Sequence, residues 1–165
     1  MLLGMVIMLA QPQGFNHLRL STLEDVEYLA PRLRFEDKRE IVSALGITPY
    51  AGLYFSFKNS TVCFTIVNYK NIPVSIFGIS KINNTSSTIW LMATNGLKEI
   101  EISFLKQNKE FINFLVKRHK MLWNYVDCRN ELHIKWLKWC GFKFLRKVNY
   151  GVLNKPFYEF IKICA

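Results

Sequence analysis

The sequence predicts an α/β (α+β) domain in which a mixed sheet of about seven strands carries helices on both faces. Three observations lead there. Apolar runs of strand length alternate with helical stripes in the order β, α, α, β, β, β, α, β, α, β, β. The 165 residues, half of them hydrophobic, suffice for one domain with a sizeable core and are too few for two ordinary ones. The third is Leu122–Phe142, LWNYVDCRNELHIKWLKWCGF, a strand, a capped helix, a glycine stop and a new strand in one block.

The chain opens on MLLGMVIMLA, which is apolar but too short to span a bilayer and lacks the preceding lysine or arginine of a signal peptide. Residues 1–13 are expected to be an extension outside a single domain formed by 14–165, with Met5 or Met8 as alternative starts of translation. Phe15–Leu20 reads as the first strand. Ser21 and Glu24 have the spacing of a capping box for a helix carrying Val26, Leu29, Ala30 and Leu33, and Pro31 kinks or shortens it. A second helix, Phe35–Leu45, stops at Gly46, with Pro49 beyond. Arg34, Asp37 and Glu40 recur every three residues on it and read as an exposed ladder of ion pairs.

From Leu53 the period changes to two. Val62–Tyr69 and Ile72–Ile82 are expected strands around a Lys70-Asn71 turn, with Pro73 near a strand start where a missing donor is tolerated. Thr88–Thr94, TIWLMAT, is the most continuously apolar and belongs at the centre of the sheet. Lys98–Lys120 reads as helix with a break near Gln107-Asn108, and it should cross over to a parallel neighbouring strand at Leu122–Val126. Asn130 then sits as an N-cap. Leu132, His133, Trp136, Leu137 and Cys140 form one stripe, and Gly141 stands where a helix end needs positive φ. Strands at Lys143–Tyr150 and Phe157–Ile163 close the chain.

Composition narrows the function. Five prolines and 15% aromatic residues exclude a disordered chain. The four scattered cysteines lack the close pairs of a zinc site, so no metal is expected and reduced thiols are. Net charge is +10, and residues 51–165 hold seventeen basic and six acidic side chains. That excess suits a solvated lysine-rich face, or contact with nucleic acid or an acidic partner. Among the tryptophans, Trp139 lies off the buried stripe and is the surface candidate.

The element order resembles the GNAT acyltransferase fold. In that family the last helix is introduced by Asn and ends in Gly-Phe, in a segment like N-x-x-A-I-x-x-Y-x-x-x-G-F, and Asn130, Ile134, Gly141 and Phe142 match it at the same spacing. The resemblance implies a mostly antiparallel, twisted sheet whose central parallel pair splays to seat the pantetheine arm of acetyl-CoA or another acyl-CoA. Leu122, Trp123, Asn124, Tyr125 and Val126, with Asn130, His133, Ile134 and Leu137, are similar to the internal virion protein A family of short-tailed phages. Arg34 with Asp37, Glu40 and Ile41 resembles GNAT-like proteins of phages. That likeness implies virion or host proteins as partners, and a location in the host cytoplasm or packaged in the virion.

Two departures set the functional expectation. Working family members cradle the coenzyme A pyrophosphate in a glycine-rich loop opening the helix after the central strand. Here one glycine, Gly96, is followed by Glu99 and Glu101. Acyl-CoA contacts then fall to Met92, Thr94 and Asn130, with Lys106, Gln107 and Lys109 as donors if a helix restarts at Gln107. Leu137 stands where many members use a tyrosine to protonate the leaving thiolate. His133 is the nearest titratable replacement, although a core-edge histidine is the plainer role. Glu40 joins Glu99, Glu101 and Asp127 as a possible base. The expected function is therefore a phage or prophage virion-associated or binding protein with a degenerate acyl-CoA site. An active N-acyltransferase acting on a primary amine is the alternative.

Overall fold

The computed structural model describes residues 17–100 and 102–165. The apolar extension, the start of the first expected strand and Glu101 lie outside them. Seven strands form one sheet in the order β1-β2-β3-β4-β5-β7-β6. They are β1 (Leu18–Leu20), β2 (Val62–Val67), β3 (Pro73–Lys81), β4 (Ser87–Ala93), β5 (Met121–Asp127), β6 (Lys143–Tyr150) and β7 (Lys155–Ile163). Every pairing is antiparallel except β4 with β5. The helices are α1 (Leu23–Leu29), α2 (Phe35–Leu45), α3 (Pro49–Asn59), α4 (Ile102–His119) and α5 (Glu131–Trp139).

Strand alternation sends successive side chains to opposite faces, and each face has its own core. Phe64, Phe77, Ile79, Leu91 and Leu122 pack with Phe111 and Ile112 of α4 and with Trp136 and Leu137 of α5. The Phe64 ring meets Phe77 at 5.4 Å and Phe111 edge-on at 4.9 Å. Ile76 and Met92 face the other way, against Val26, Leu29, Ile41 and Leu53 of α1, α2 and α3.

Three local readings need correction. Residues 49–59, read partly as the approach to a strand, are a helix. Thr48 caps it by accepting from the Ala51 N–H at 3.2 Å, and Pro49 occupies its first turn. Gly52 permits its close approach to α2, since a Cβ there would come within 2.3 Å of the Ile41 side chain. The cap of α1 lies one residue later than expected, because Thr22 N–H donates to Asp25, not Glu24. Arg19 and Thr65 draw the Asp25 carboxylate inward. Finally, α4 runs unbroken through Gln107-Asn108, because Asn108, Phe111, Ile112 and Leu115 continue a single buried stripe.

Gly141 follows α5 with φ +82°, and Gly46 follows α2 with φ +67°. Replacing Gly141 with Ala should destabilise the protein by about 1 kcal/mol, read as a lowered urea midpoint at unchanged slope. An unchanged midpoint would contradict the conformational requirement.

Candidate functional site

The parallel contact between β4 and β5 is short. Ser87 pairs with Leu122 and Thr88 with Trp123, after which no further pair joins the two strands. The gap is bridged by side chains. Asn124, a polar residue inside an apolar strand, donates its Nδ2 to the Ile89 carbonyl at 2.9 Å. At the far end of β4 the Ala93 N–H donates to Asp37 Oδ2 at 3.0 Å, and the Ala93 carbonyl accepts from the Arg34 N–H at 2.9 Å. Leu91 lies between these two occupied rungs and lines a cavity of about 270 Å³. Glu40, Met92, Tyr125, His133 and Tyr150 line it too.

The wall of that cavity is a buried polar network. Arg34 and Asp37 are each 2% exposed and pair bidentately, with Nε and Nη2 both 2.9 Å from the carboxylate oxygens. This corrects the expected exposed ladder. The i, i+3 spacing is real, but the helix presents that row to the sheet. Asn130 has its N-cap role, its Oδ1 accepting from the His133 N–H at 3.4 Å. Its Nδ2 also reaches Asp37 Oδ1 and Glu40 Oε2, both at 2.9 Å. The Asp127 N–H donates to the same Glu40 oxygen at 3.3 Å. Arg129 clamps Asp127 through contacts of 2.6 and 2.9 Å.

Burial sets the protonation of these groups. It pushes the Glu40 carboxyl up to about 8, and the neighbouring Asp37 charge adds to the effect. It also raises Asp37, against the pull of Arg34, Asn130 and the Ala93 amide. Asp127 goes the other way, because the bonds from Arg129 outweigh its burial. Burial, then the Arg34 charge, drives His133 down to about 3. Its Nδ1 is buried with no hydrogen-bond partner among the described residues. His133 is therefore a neutral imidazole at physiological pH, poorly placed to supply a proton to a leaving group.

The remaining sequence candidates do not gather into an anion cradle. Thr94 Oγ1 accepts from the Gly96 N–H and donates to the Val74 carbonyl, capping a short 3₁₀ turn at Asn95–Glu99. Because α4 does not restart at Gln107, the condition for an anion site there is not met. Lys106 is exposed, Lys109 lies over the Trp139 ring at 5.2 Å, and Gln107 Oε1 is buried without a hydrogen-bond partner among the described residues. Leu137 is fully buried in the core. Trp139 is 43% exposed, its indole N–H donating to the Leu105 carbonyl at 3.1 Å.

Sequence reasoning missed Asn124, Tyr125 and Tyr150. The two tyrosine rings stack at 4.2 Å in the cavity wall. The polar Asn within LWNYV was an available signal. The tyrosines had none, because they come together only when β5 and the β6–β7 hairpin pair. Among the described residues no group of three His, Cys, Asp or Glu side chains could hold a metal ion, and no helix is long and apolar enough to cross a membrane.

Comparison with known proteins adds family and fold. The family model described as "Bacteriophage T7, probable scaffold protein Gp13" matches residues 65–148, just over half of the chain. No curated protein matches the sequence. Among solved structures, the ribosomal-protein-S5-alanine acetyltransferase of Vibrio fischeri is 16% identical with a TM-score of 0.58, covering 88% of this chain and 91% of that one. A GNAT-family acetyltransferase of Bacillus anthracis is 14% identical with a TM-score of 0.63, over 88% and 93%. The spermidine N-acetyltransferase of Vibrio cholerae, solved with CoA and spermine, is 14% identical with a TM-score of 0.59, over 88% and 94%. The fold is that of the GNAT acetyltransferases.

Two outcomes test the network. Arg34→Ala should cost about 3–5 kcal/mol in urea unfolding, since it strands a buried carboxylate. Glu40 holds a proton in the folded state between its ordinary 4.5 and about 8, and the unfolded chain does not. Its stabilising contribution is thus full below 4.5 and lost as pH rises toward 8. His133 acts oppositely below 6.5, so pH 6.5–8 is the clean window. There the wild type should lose up to about 1.4 kcal/mol per pH unit. Glu40→Gln should flatten that slope, and an unchanged slope would refute the assignment.

Proposed function

Because the chain belongs to the family described as "Bacteriophage T7, probable scaffold protein Gp13", we propose that it is a virion-associated or binding protein of a phage or prophage. In this reading it keeps a GNAT scaffold and has lost the means to anchor an acyl donor. One observation carries the proposal: the edge of β4 that faces the splay is already bonded at Ile89 and Ala93. A ligand arm that adds itself to a strand edge needs free amides and carbonyls there. Asn124 occupies the Ile89 carbonyl, and Asp37 and Arg34 occupy the Ala93 amide and carbonyl, so that Leu91 alone lies between the bonded rungs. The 3₁₀ turn after β4 and the buried Leu137 support the same reading, since neither supplies phosphate amides or a phenol. Its partners would be virion or host proteins, met in the host cytoplasm or inside the particle.

Glu40 favours a second reading. A carboxyl poised near 8 beside two tyrosines is what a general base for amine deprotonation requires. An active N-acyltransferase would then need acyl-CoA to displace Asn124 from the Ile89 carbonyl.

Thermal unfolding with coenzyme A and acetyl-CoA separates the two readings. The binding-protein reading expects no shift at millimolar ligand, whereas a ligand at 100 times its Kd adds about 2.7 kcal/mol. Turnover of about one per second with an amine panel, followed by free-thiol release and abolished in Glu40→Gln, would establish the enzyme instead.

A further inference from the structure

A second cavity, of about 400 Å³, lies where α4 ends beside the β3–β4 turn. It shares no lining residue with the central cavity. Its size falls within the range of small-molecule sites. Its chemistry is one-sided. Lys81 comes from β3 and Arg118 and His119 from the last turn of α4, and among the described residues no Asp or Glu lines it. A cation at a helix C-terminus complements its dipole, which accounts for Arg118 on α4. It does not account for Lys81, brought there by a different element.

The polar groups are held in place. Ser87, fully buried on β4, bonds His119 Nδ1 at 2.9 Å and fixes the imidazole at the cavity wall. Asn83 uses its Oδ1 to accept from the Thr85 N–H and hydroxyl, which leaves its amide NH₂ as the group still able to donate. An aromatic side chain lines the cavity as well, one turn before Arg118 on the same face of α4. Phe114 is 45% exposed, and its ring stacks at 6.0 Å on the buried Phe111.

We propose that this cavity binds a nucleoside phosphate, the phosphate held by Arg118, Lys81 and His119 and the base laid against Phe114. Arginine and lysine supply charge-assisted hydrogen bonds to phosphate oxygens, and an aromatic face accepts any base by stacking. The same chemistry is offered by a free nucleotide and by the 5′-phosphorylated end of a single strand. Burial and the charges of Arg118 and Lys81 hold the His119 imidazole below its ordinary value, so the free site carries it neutral at pH 7. A bound phosphate would raise that value, and binding would tighten as pH falls.

The test is titration of the full chain with AMP, a 5′-phosphorylated oligothymidylate and inorganic phosphate at fixed low salt, with His119 followed by NMR. AMP should saturate and move the His119 titration upward, with inorganic phosphate weaker. Arg118→Ala and Lys81→Ala should each weaken AMP about tenfold or more while keeping the wild-type melting temperature. Phe114→Ala should weaken AMP and leave inorganic phosphate unchanged. An oligomer that binds no tighter than AMP assigns the site to the terminal nucleotide, and a tighter one assigns it to a strand. No saturation by AMP at millimolar concentration would overturn the proposal. So would binding that survives both Arg118→Ala and Lys81→Ala.

Discussion

The buried pair of Arg34 and Asp37 is the constraint on which the rest of this structure depends. Two charges taken out of water are tolerated only when nearly all of their hydrogen-bonding capacity is met. Here that requirement is met by parts distant in sequence: the Ala93 backbone at the end of β4, the Asn130 side chain at the head of α5, and the bidentate geometry of the pair itself. Each partner therefore fixes a position. Helix α2 sits across the mouth of the splay, β4 ends against it, and α5 begins beneath it.

The same bonds shape the chemistry of the cavity. Asp37 is spent on Arg34 and on backbone, so it offers little to a ligand. Glu40 shares the Asn130 amide with it, and with no ion pair among the described residues it relieves its burial by holding a proton. His133 responds in the opposite sense, shedding its proton beside the Arg34 charge. One desolvated site thus contains a carboxyl kept neutral and an imidazole kept neutral, for the same electrostatic reason. The fold alone does not decide the activity, because the bonds that Asn124, Asp37 and Arg34 make to β4 are set by side chains and not by the chain path.

Much of the architecture was legible in residue patterns. The period of two in Val62–Val67 and Pro73–Lys81, the stripe on α5 and the glycines after α2 and α5 report local backbone geometry, which neighbours in sequence control. The errors came where long-range contacts decide. The aromatic-rich stretch around Tyr54 and Phe57 suits a strand as well as a helix, and Gly52 against Ile41 settles it. Ser21–Glu24 and Thr22–Asp25 are both acceptable capping pairs, and the choice belongs to Arg19 and Thr65. The polar pair Gln107-Asn108 looked like a break because nothing local shows that Asn108 continues a buried stripe.

By itself the sequence determined the class of fold, the order of its elements apart from the helix Pro49–Asn59, the Asn130 cap and the absence of a glycine cradle after the central strand. Those properties depend on which residues are present and on spacings within a few turns. Only the tertiary structure decided that Arg34 and Asp37 face inward, that Asn124 spans the splay and that Tyr125 meets Tyr150. It alone brought Lys81 to Arg118 and His119. Spacing says which side chains share a face of a helix. Whether that face meets water or a strand end is set by packing between elements far apart in the chain, and the neutral forms of Glu40 and His133 follow from it.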